Sequence, residues 1–162
     1  MPELPYMTAE AQSNIGEERV IVSDPVSARH IRQYLAGSDD WNPLSYDEGH
    51  AKKGPYGEII APPGFHSCTT RRVAPQSRLL EDGQYDDLSV PGVYGRTIAG
   101  AQEIELFEPV RVGDIITERQ RFVDIQEKQG RSGKMIFVIS ETTYTNQRDQ
   151  LIAKERDTLI FR

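Results

Sequence analysis

Residues 134–146, KMIFVISETTYTN, contain the pattern that decides the fold. In the first half of this stretch both sets of alternating positions are apolar: Met135, Phe137 and Ile139 on one side, and Ile136 and Val138 on the other. A strand with two apolar faces is typical of a sheet that is covered on both sides. We therefore predict a central β-strand here.

Three further strand-like stretches surround this one, at residues 97–110, 114–127 and 151–162. The connections between the four stretches are short and carry turn-forming residues, RVG, KQGRSG and QRDQ. Strands joined by such short connections pair antiparallel, because a parallel crossover needs a dozen or more residues. The second half of the chain therefore predicts an antiparallel sheet.

A helix is predicted earlier in the chain, over residues 25–37, PVSARHIRQYLAG. Its first residue is a proline, which suits the first position of a helix, and Ser23 or Asp24 before it can act as the N-cap. Gly37 fits the C-terminal stop. His30 is expected to be a surface histidine.

A second helix is predicted over residues 63–73, PGFHSCTTRRV. One side of it would be formed by residues at positions i, i+3, i+4 and i+7, namely Phe65, Cys68, Thr69 and Arg72. This spacing suits a helix that packs one narrow face against the sheet, so we expect Cys68 to be a small core residue rather than a nucleophile. A shorter helical piece at 47–53 precedes it, with Asp47 as its cap.

Helices followed by a run of strands place the chain in the α+β class. We predict a single domain over residues 17–162, with one antiparallel sheet wrapped around a central helix. Residues 1–16 are expected to form an N-terminal arm that docks on a neighbour. The Pro-, Gly- and Asp-rich excursion at 74–97 is either functional or disordered. The uncovered sheet surface invites a second copy or a partner.

Composition excludes several classes of function. The 162 residues carry a formal net charge of −6, which argues against a nucleic-acid partner. Every apolar run is far shorter than the roughly 20 residues of a membrane helix, and the N-terminus has no export signal, so a cytoplasmic protein with no membrane association is expected. With one cysteine and three unclustered histidines, neither an internal disulfide nor a metal site is expected.

The polar loop after the first helix contains DWNPLS at residues 40–45. Together with IIAPPGF at 59–65 and the four strand-like stretches, it resembles the MaoC-like hot-dog hydratases and dehydratases. The resemblance covers residues 20–162 and is greatest to the FAS1-like dehydratase branch. That branch forms the N-terminal half of double hot-dog enzymes or the non-catalytic subunit of two-subunit 3-hydroxyacyl dehydratases. A single hot-dog fold is therefore implied.

The resemblance also implies a chemistry. Active members of the family add water across the double bond of a 2-enoyl thioester, carried by coenzyme A or acyl carrier protein, or run the reverse reaction. An Asp and a His five residues later handle the water and the proton, and a backbone amide at the head of the central helix binds the thioester oxygen. No cofactor is needed.

Residue by residue, Asp40 falls on the family's Asp and Asn42 on its Asn, while Ser45 stands where active members have His. Gly64 falls on the glycine at the head of the helix, and Pro63 replaces the residue before it, which is often His. A serine hydroxyl does not take a proton near neutral pH, and loss of one general acid or base costs about 10²–10⁴ in rate. The resemblance thus implies a weak or silent site.

A structural role is the alternative to a functional one for several of these residues. Asp40 and Asn42 either serve catalysis and substrate binding or form an Asx turn that closes the loop. His66 either replaces the missing imidazole or packs in the fold. Arg71 and Arg72 either meet the phosphates of coenzyme A or end a solvated helix.

Three hypotheses follow for the function. In the first, the chain is the non-catalytic subunit of a heterodimer or heterotetramer, in which a MaoC-type chain supplies the Asp and His. Its central helix and residues 75–95 would then shape the acyl tunnel. In the second, it is a self-sufficient homodimeric hydratase that uses Asp40 with His66. In the third, it is a thioesterase or an acyl-thioester binding protein.

Overall fold

The computed structural model describes residues 5–71, 75–79, 90–131 and 133–162. The strands in these residues are β1 (Tyr6–Met7), β2 (Glu18–Val22), β3 (Val93–Tyr94), β4 (Thr97–Leu106), β5 (Thr117–Gly130), β6 (Gly133–Thr145) and β7 (Leu151–Phe161). The α-helices are α1 (Ala9–Ser13), α2 (Ala28–Ser38), α3 (Glu48–Ala51) and α4 (His66–Thr69). Two 3-10 turns lie at Pro43–Ser45 and Gln76–Arg78.

A five-stranded antiparallel sheet forms the body of the fold, in the order β2-β5-β6-β7-β4. The predicted central strand is confirmed, since β6 pairs with β5 on one side and β7 on the other. Its even-numbered residues from 136 to 144 are buried, and the odd-numbered residues between them are half-buried. The even-numbered face of β6 is therefore almost completely covered, and the other face is only half-buried. We call the buried side the inner face of the sheet.

Two hydrophobic clusters lie on this inner face. In the first, Ile31 and Leu35 of α2 join Phe65 against Tyr144 and Ala153 of the sheet. The residues of the second cluster are Ala11, Val90, Val93, Ile125, Ile136, Val138 and Phe161. The helices thus lie on one side of the sheet, as the predicted α+β class requires.

The segment predicted as an N-terminal arm packs, over residues 5–16, against the chain itself. β1 pairs with β3, and the rings of Tyr6 and Tyr94 stack with their centroids 4.5 Å apart. Ala11 in α1 is fully buried in the second cluster. The side chain of Gln12 donates to the carbonyl of Ile125 in β5 at 3.1 Å. These contacts join residues 5–16 to the inner face of the sheet.

The predicted start of α2 was wrong. The helix begins at Ala28, and its N-cap is Ser27 rather than Ser23 or Asp24. The hydroxyl of Ser27 accepts the backbone N–H of His30 at 3.2 Å, and His30 Nδ1 lies 3.5 Å from the backbone N of Ser27. This reciprocal capping box satisfies helix-end donors that a cap four residues upstream could not reach.

The predicted stop of α2 was also misplaced, because the helix continues through Gly37 to Ser38. Asp39 ends it with a φ of 54°, a left-handed conformation that Asp tolerates better than most residues. The short helix α3 was predicted correctly. Asp47 caps it by accepting the backbone N–H of His50 at 3.0 Å.

Helix α4 at the position of the predicted central helix is four residues long, and residues 72–74 after it lie outside the described part of the chain. The predicted contact face was wrong at Cys68, which is exposed, but is confirmed at Phe65, which is buried. His66 and Thr70, which were not assigned to that face, are buried as well. The short helix turns these three residues toward the sheet and leaves Cys68 on the outside. Arg72 and residues 80–89 of the excursion are not described.

Candidate active site

The loop with the DWNPLS sequence is built around a 3-10 turn at Pro43–Ser45. Asn42 caps this turn, since its side-chain oxygen accepts the backbone N–H of Leu44 at 3.1 Å. The backbone N–H of Ser45 donates to the carbonyl of Asn42 at 2.9 Å. The loop is also joined to the segment before α4 by a hydrogen bond from the Ile60 N–H to the Leu44 carbonyl at 3.3 Å. The side chain of Asn42 thus holds the geometry of the loop.

Ser45, which stands at the position of the family's histidine, is only 3% exposed. The residues on either side of the turn behave differently, since Trp41 and Tyr46 are exposed and their rings meet edge to face at 5.9 Å. Ser45 therefore faces the protein while its neighbours face solvent. Its hydroxyl does not have the basicity of an imidazole.

Tyr34 of α2 links the two other family positions, Asp40 and Gly64. Burial raises the pKa of the Tyr34 phenol, and the nearby Cys68 and Asp40 raise it further. Its hydroxyl lies 3.0 Å from the point that a Cβ on Gly64 would occupy. Gly64 has a φ of +85°, a conformation that favours glycine, and a Cβ at this position would crowd the phenol. Tyr34 was not predicted as a site residue from the sequence, although its position three residues after the buried Ile31 places it near the buried side of α2.

A cavity of about 370 Å³ lies next to Tyr34. It is lined by Asp24, Val26, His30, Gln33, Tyr34, Phe65, Cys68, Thr69 and Arg71. Arg71 thus stands at a cavity, as its predicted role in binding phosphates would require, and its side chain is exposed. Asp40, Asn42 and Ser45 are not among the residues that line it.

A second cavity, of about 150 Å³, brings Pro63, Gly64 and His66 together. The rest of its lining is mainly apolar: Tyr56, Ile60, Ala61, Pro62, Leu106, Phe107, Glu108, Pro109, Val110 and Ile152. An apolar cavity beside the start of α4 is a suitable place for a hydrocarbon group. Two of the predicted catalytic positions, Gly64 and His66, therefore share a cavity, and Asp40 and Ser45 lie elsewhere.

His66 is engaged in the core of the sheet. Its Nε2 lies 2.9 Å from Oε1 of Glu155 on β7, with side-chain exposures of 3% and 5%. The Tyr144 hydroxyl donates to the other oxygen of Glu155 at 3.3 Å, and the rings of His66 and Tyr144 meet edge to face at 4.8 Å. This arrangement fits the structural alternative for His66, because one ring nitrogen is already used inside the fold.

More acidic groups surround this buried pair. Burial raises the pKa of the Tyr144 phenol, and the carboxylates of Glu118 and Glu155 raise it further, so the phenol remains a hydrogen-bond donor. The hydroxyl of Thr70 donates to Glu118. Burial also raises the pKa of Asp157, with a further contribution from Glu155. The inner face below α4 is therefore a polar network within an apolar core.

The described residues contain no group of three or more His, Cys, Asp and Glu side chains placed to hold a metal ion. They also contain no helix of the length and hydropathy needed to cross a membrane.

The chain matches a family described as the FAS1-like dehydratase domain region over residues 13–155. It is 30% identical over 115 residues to a UPF0336 protein of Thermobifida fusca, covering 71% of this chain and 70% of that protein. It is 27% identical over 143 residues to a probable enoyl-CoA hydratase alpha subunit of Thermomonospora curvata. That match covers 85% of this chain and 45% of the relative.

Two solved structures share the fold. A chain of the ChsH1-ChsH2 complex from Mycobacterium tuberculosis superposes with a TM-score of 0.71 at 18% identity, covering 94% of this chain and 87% of that one. A MaoC-like dehydratase from Rhodospirillum rubrum superposes with a TM-score of 0.64 at 20% identity, covering 91% and 92%. The predicted hot-dog fold is thereby confirmed.

Proposed function

Since the chain belongs to the FAS1-like dehydratase family of MaoC-like hot-dog proteins, we propose that it is the non-catalytic subunit of a two-chain enzyme. The enzyme would be an (R)-specific 2-enoyl-thioester hydratase or 3-hydroxyacyl-thioester dehydratase. Its catalytic Asp and His would come from a MaoC-type partner, in a heterodimer or heterotetramer. This chain would shape the tunnel for the acyl group of a coenzyme A or acyl-carrier-protein thioester.

The observation that carries this proposal is the state of Ser45. The position that needs a proton carrier holds a buried hydroxyl, 3% exposed, inside a turn that Asn42 caps. Two of the three histidines have structural partners, because His30 is part of the capping box of α2 and His66 is paired with Glu155; the third, His50, is exposed on α3. Asp40 is exposed on the loop and has no imidazole among its described contacts. A hydratase that relies on these residues alone would lack the imidazole, one of its two acid–base groups.

The descriptions of similar proteins support the existence of a partner chain. One relative carries the name of an alpha subunit, and one solved structure with the same fold is a complex of two proteins. The cavity beside Gly64 supports a role in holding an acyl chain, because its lining is mainly apolar.

Hydration of crotonyl-coenzyme A by separate and mixed chains tests the proposal. The partner to be mixed with it is a MaoC-type chain that has an intact D-x-N-P-x-H sequence, sought first in the gene next to this one. We expect no hydration by this chain alone and a clear gain when both are mixed. Asp40→Asn in this chain should leave the rate of the mixture unchanged, whereas the same change in the partner should abolish it. Hydration by the lone chain, or absence of a complex, would contradict the proposal.

One observation favours an alternative, the homodimeric hydratase. His66 and Gly64 line the same cavity, so His66 could act there through the ring nitrogen that Glu155 does not hold. Activity of the lone chain that is lost in both Asp40→Ala and His66→Ala would establish this alternative, provided that both variants fold. Release of free thiol from acyl-coenzyme A in the same assay would identify a thioesterase instead, and binding without turnover an acyl-thioester binding protein.

A further inference from the structure

His66 has a ring nitrogen that the fold does not use. Its Nε2 lies 2.9 Å from Oε1 of Glu155, whereas Nδ1 forms no hydrogen bond within the described part of the chain. The side chain is only 3% exposed. Among the described residues every fully enclosed side-chain nitrogen and oxygen has a hydrogen-bond partner, so Nδ1, which has none, must keep a small exposed area. Because His66 lines the cavity of about 150 Å³ beside Gly64, this nitrogen is open to that cavity.

Glu155 determines which ring nitrogen of His66 carries the proton. Burial raises the pKa of Tyr144 and of Asp157, and the negative charge of Glu155 raises both further. A carboxylate only accepts hydrogen bonds, so the proton in its contact with His66 belongs to Nε2. In the uncharged ring the other nitrogen then carries a lone pair. Nδ1 of His66 is therefore a hydrogen-bond acceptor that faces the cavity.

The remaining lining of the cavity offers little competition for a polar ligand group. Besides His66, the polar side chains that line it are those of Tyr56 and Glu108. Both are exposed, and Glu108 is paired with Arg111 at 3.5 Å. Among the described lining residues, His66 thus supplies the one buried polar side chain. In a mainly apolar cavity, a single polar group of this kind fixes the orientation and the chemical class of the ligand.

The volume of the cavity limits the size of that ligand. A water-sized group takes about 30 Å³ in a liquid, so a cavity of about 150 Å³ holds about five such groups. The ligand segment is therefore short and largely aliphatic. It must also donate one hydrogen bond, because an acceptor such as a ketone or an ether would place its lone pairs against that of Nδ1.

We propose that this cavity selects an acyl group with a hydroxyl on the part distal to the thioester, and that Nδ1 of His66 accepts the hydrogen bond of that hydroxyl. The inference rests on the proposed function, in which the catalytic partner holds the thioester and this chain holds the rest of the acyl group. It adds the chemical class of that group. His66 is then a specificity-determining residue that takes no part in proton transfer.

A pair of isomeric probes measures this preference in the lone chain. Butan-1-ol and methyl propyl ether have the same heavy atoms, but only the alcohol donates a hydrogen bond. NMR titration gives the ratio of their dissociation constants in the wild type and in His66→Leu/Glu155→Leu, and comparing the ratios cancels the difference in hydration between the probes. The wild type should favour the alcohol roughly two- to tenfold more than the double variant does, the factor for one hydrogen bond. Equal ratios would overturn the inference.

Tyr144→Phe is the matched control for the double variant. It removes the other hydrogen bond to Glu155 and leaves Nδ1 of His66 in place, so its ratio should equal that of the wild type. Ring-nitrogen NMR of the isotope-labelled wild type needs no variant, and thus decides the matter if the double variant does not fold. Nε2 should be protonated and Nδ1 not, and butan-1-ol alone should shift the Nδ1 resonance. A protonated Nδ1, or an equal shift with the ether, would refute the assignment.

Hydration by the mixture with the MaoC-type chain tests the acyl group itself. The substrates are 2-octenoyl-coenzyme A and its counterparts with one hydroxyl at each carbon beyond the double bond. At least one hydroxylated substrate should have a kcat/KM roughly twofold or more above the parent, an advantage lost with His66→Leu/Glu155→Leu and kept with Tyr144→Phe. If no hydroxylated substrate is favoured, the inference fails, while hydration of the parent leaves the proposed function intact. If the mixture hydrates none of them, the proposed function fails, and the probe ratios of the lone chain alone decide the inference.

Discussion

Replacing His66 with leucine tests whether this histidine is structural. The variant keeps much of the side-chain volume but leaves the Glu155 carboxylate buried without its partner at 2.9 Å. Leaving a buried hydrogen-bonding group without one of its partners costs about 1–3 kcal/mol, and more when the group is charged. A domain of ordinary stability has about 5–15 kcal/mol, so His66→Leu should fold but unfold at a much lower urea concentration.

The double variant His66→Leu/Glu155→Leu isolates the pair. Apolar replacement of a whole buried pair is often close to neutral, so the double variant should be more stable than His66→Leu alone. The remaining cost is the hydrogen bond that Tyr144 loses, about 1 kcal/mol. Each variant's loss is the decrease in its free energy of unfolding relative to the wild type. The losses of the two single variants should therefore add up to at least about 2 kcal/mol more than the loss of the double variant.

Urea unfolding followed by circular dichroism measures these differences. His50→Leu is the matched control, because His50 is an exposed histidine on α3, and it should cost less than about 0.5 kcal/mol. A loss below about 1 kcal/mol in His66→Leu, or strict additivity in the double variant, would refute the structural role. His66 would then be free to serve as a base, and the homodimeric hydratase would gain support.

Three further predictions concern the fold. Burial and a neighbouring carboxylate raise the pKa of Asp157, so its charged form destabilises the folded state as pH rises. Asp157→Asn should therefore raise the free energy of unfolding near pH 7. It should not do so at about pH 3, which is below the ordinary aspartate pKa of 3.8. In urea unfolding, Ser27→Ala should cost about 1 kcal/mol and Asp24→Ala less than about 0.5, and the reverse order would contradict the observed cap. Gly92→Ala should cost about 1–3 kcal/mol more than Gly16→Ala in the same measurement. Both glycines have a positive φ, but of the two only Gly92 would place a Cβ against backbone, 2.6 Å from the amide nitrogen of Ala11. Equal costs would contradict this reasoning.

The sheet could be predicted from the sequence because its signals are local. The two-sided apolar pattern around Ile136 placed β6 in the middle, and short turns fixed the antiparallel order. Predicted strand starts at 97, 134 and 151 lie within one residue of the observed ones. The Asp47 cap was also predictable, since cap and helix are adjacent in the chain.

The partners of α4 could not be predicted, because they are distant in the chain. His66 and Glu155 are 89 residues apart, and no local pattern pairs them. The helical spacing assigned Cys68 to the core on the assumption of a long regular helix, but the described helix is one turn long and turns His66 inward. The prediction of the α2 N-cap was wrong for a different reason. Ser23, Asp24 and Ser27 all precede the helix, and the sequence alone does not decide which of them is the cap.

The loop with Asn42 and Ser45 shows how the Asn-Pro turn can have a role in a chain that lacks the catalytic histidine. Its amide side chain caps the 3-10 turn, and the hydrogen bond from Ile60 to Leu44 joins the turn to the segment that leads to Gly64. The position of α4 on the sheet therefore depends on this loop, whether or not a histidine follows. The turn forms with Ser45 at the position of the family's histidine, because its cap is supplied by Asn42. The Asn-Pro turn thus has a role in the fold that does not require catalysis at this loop.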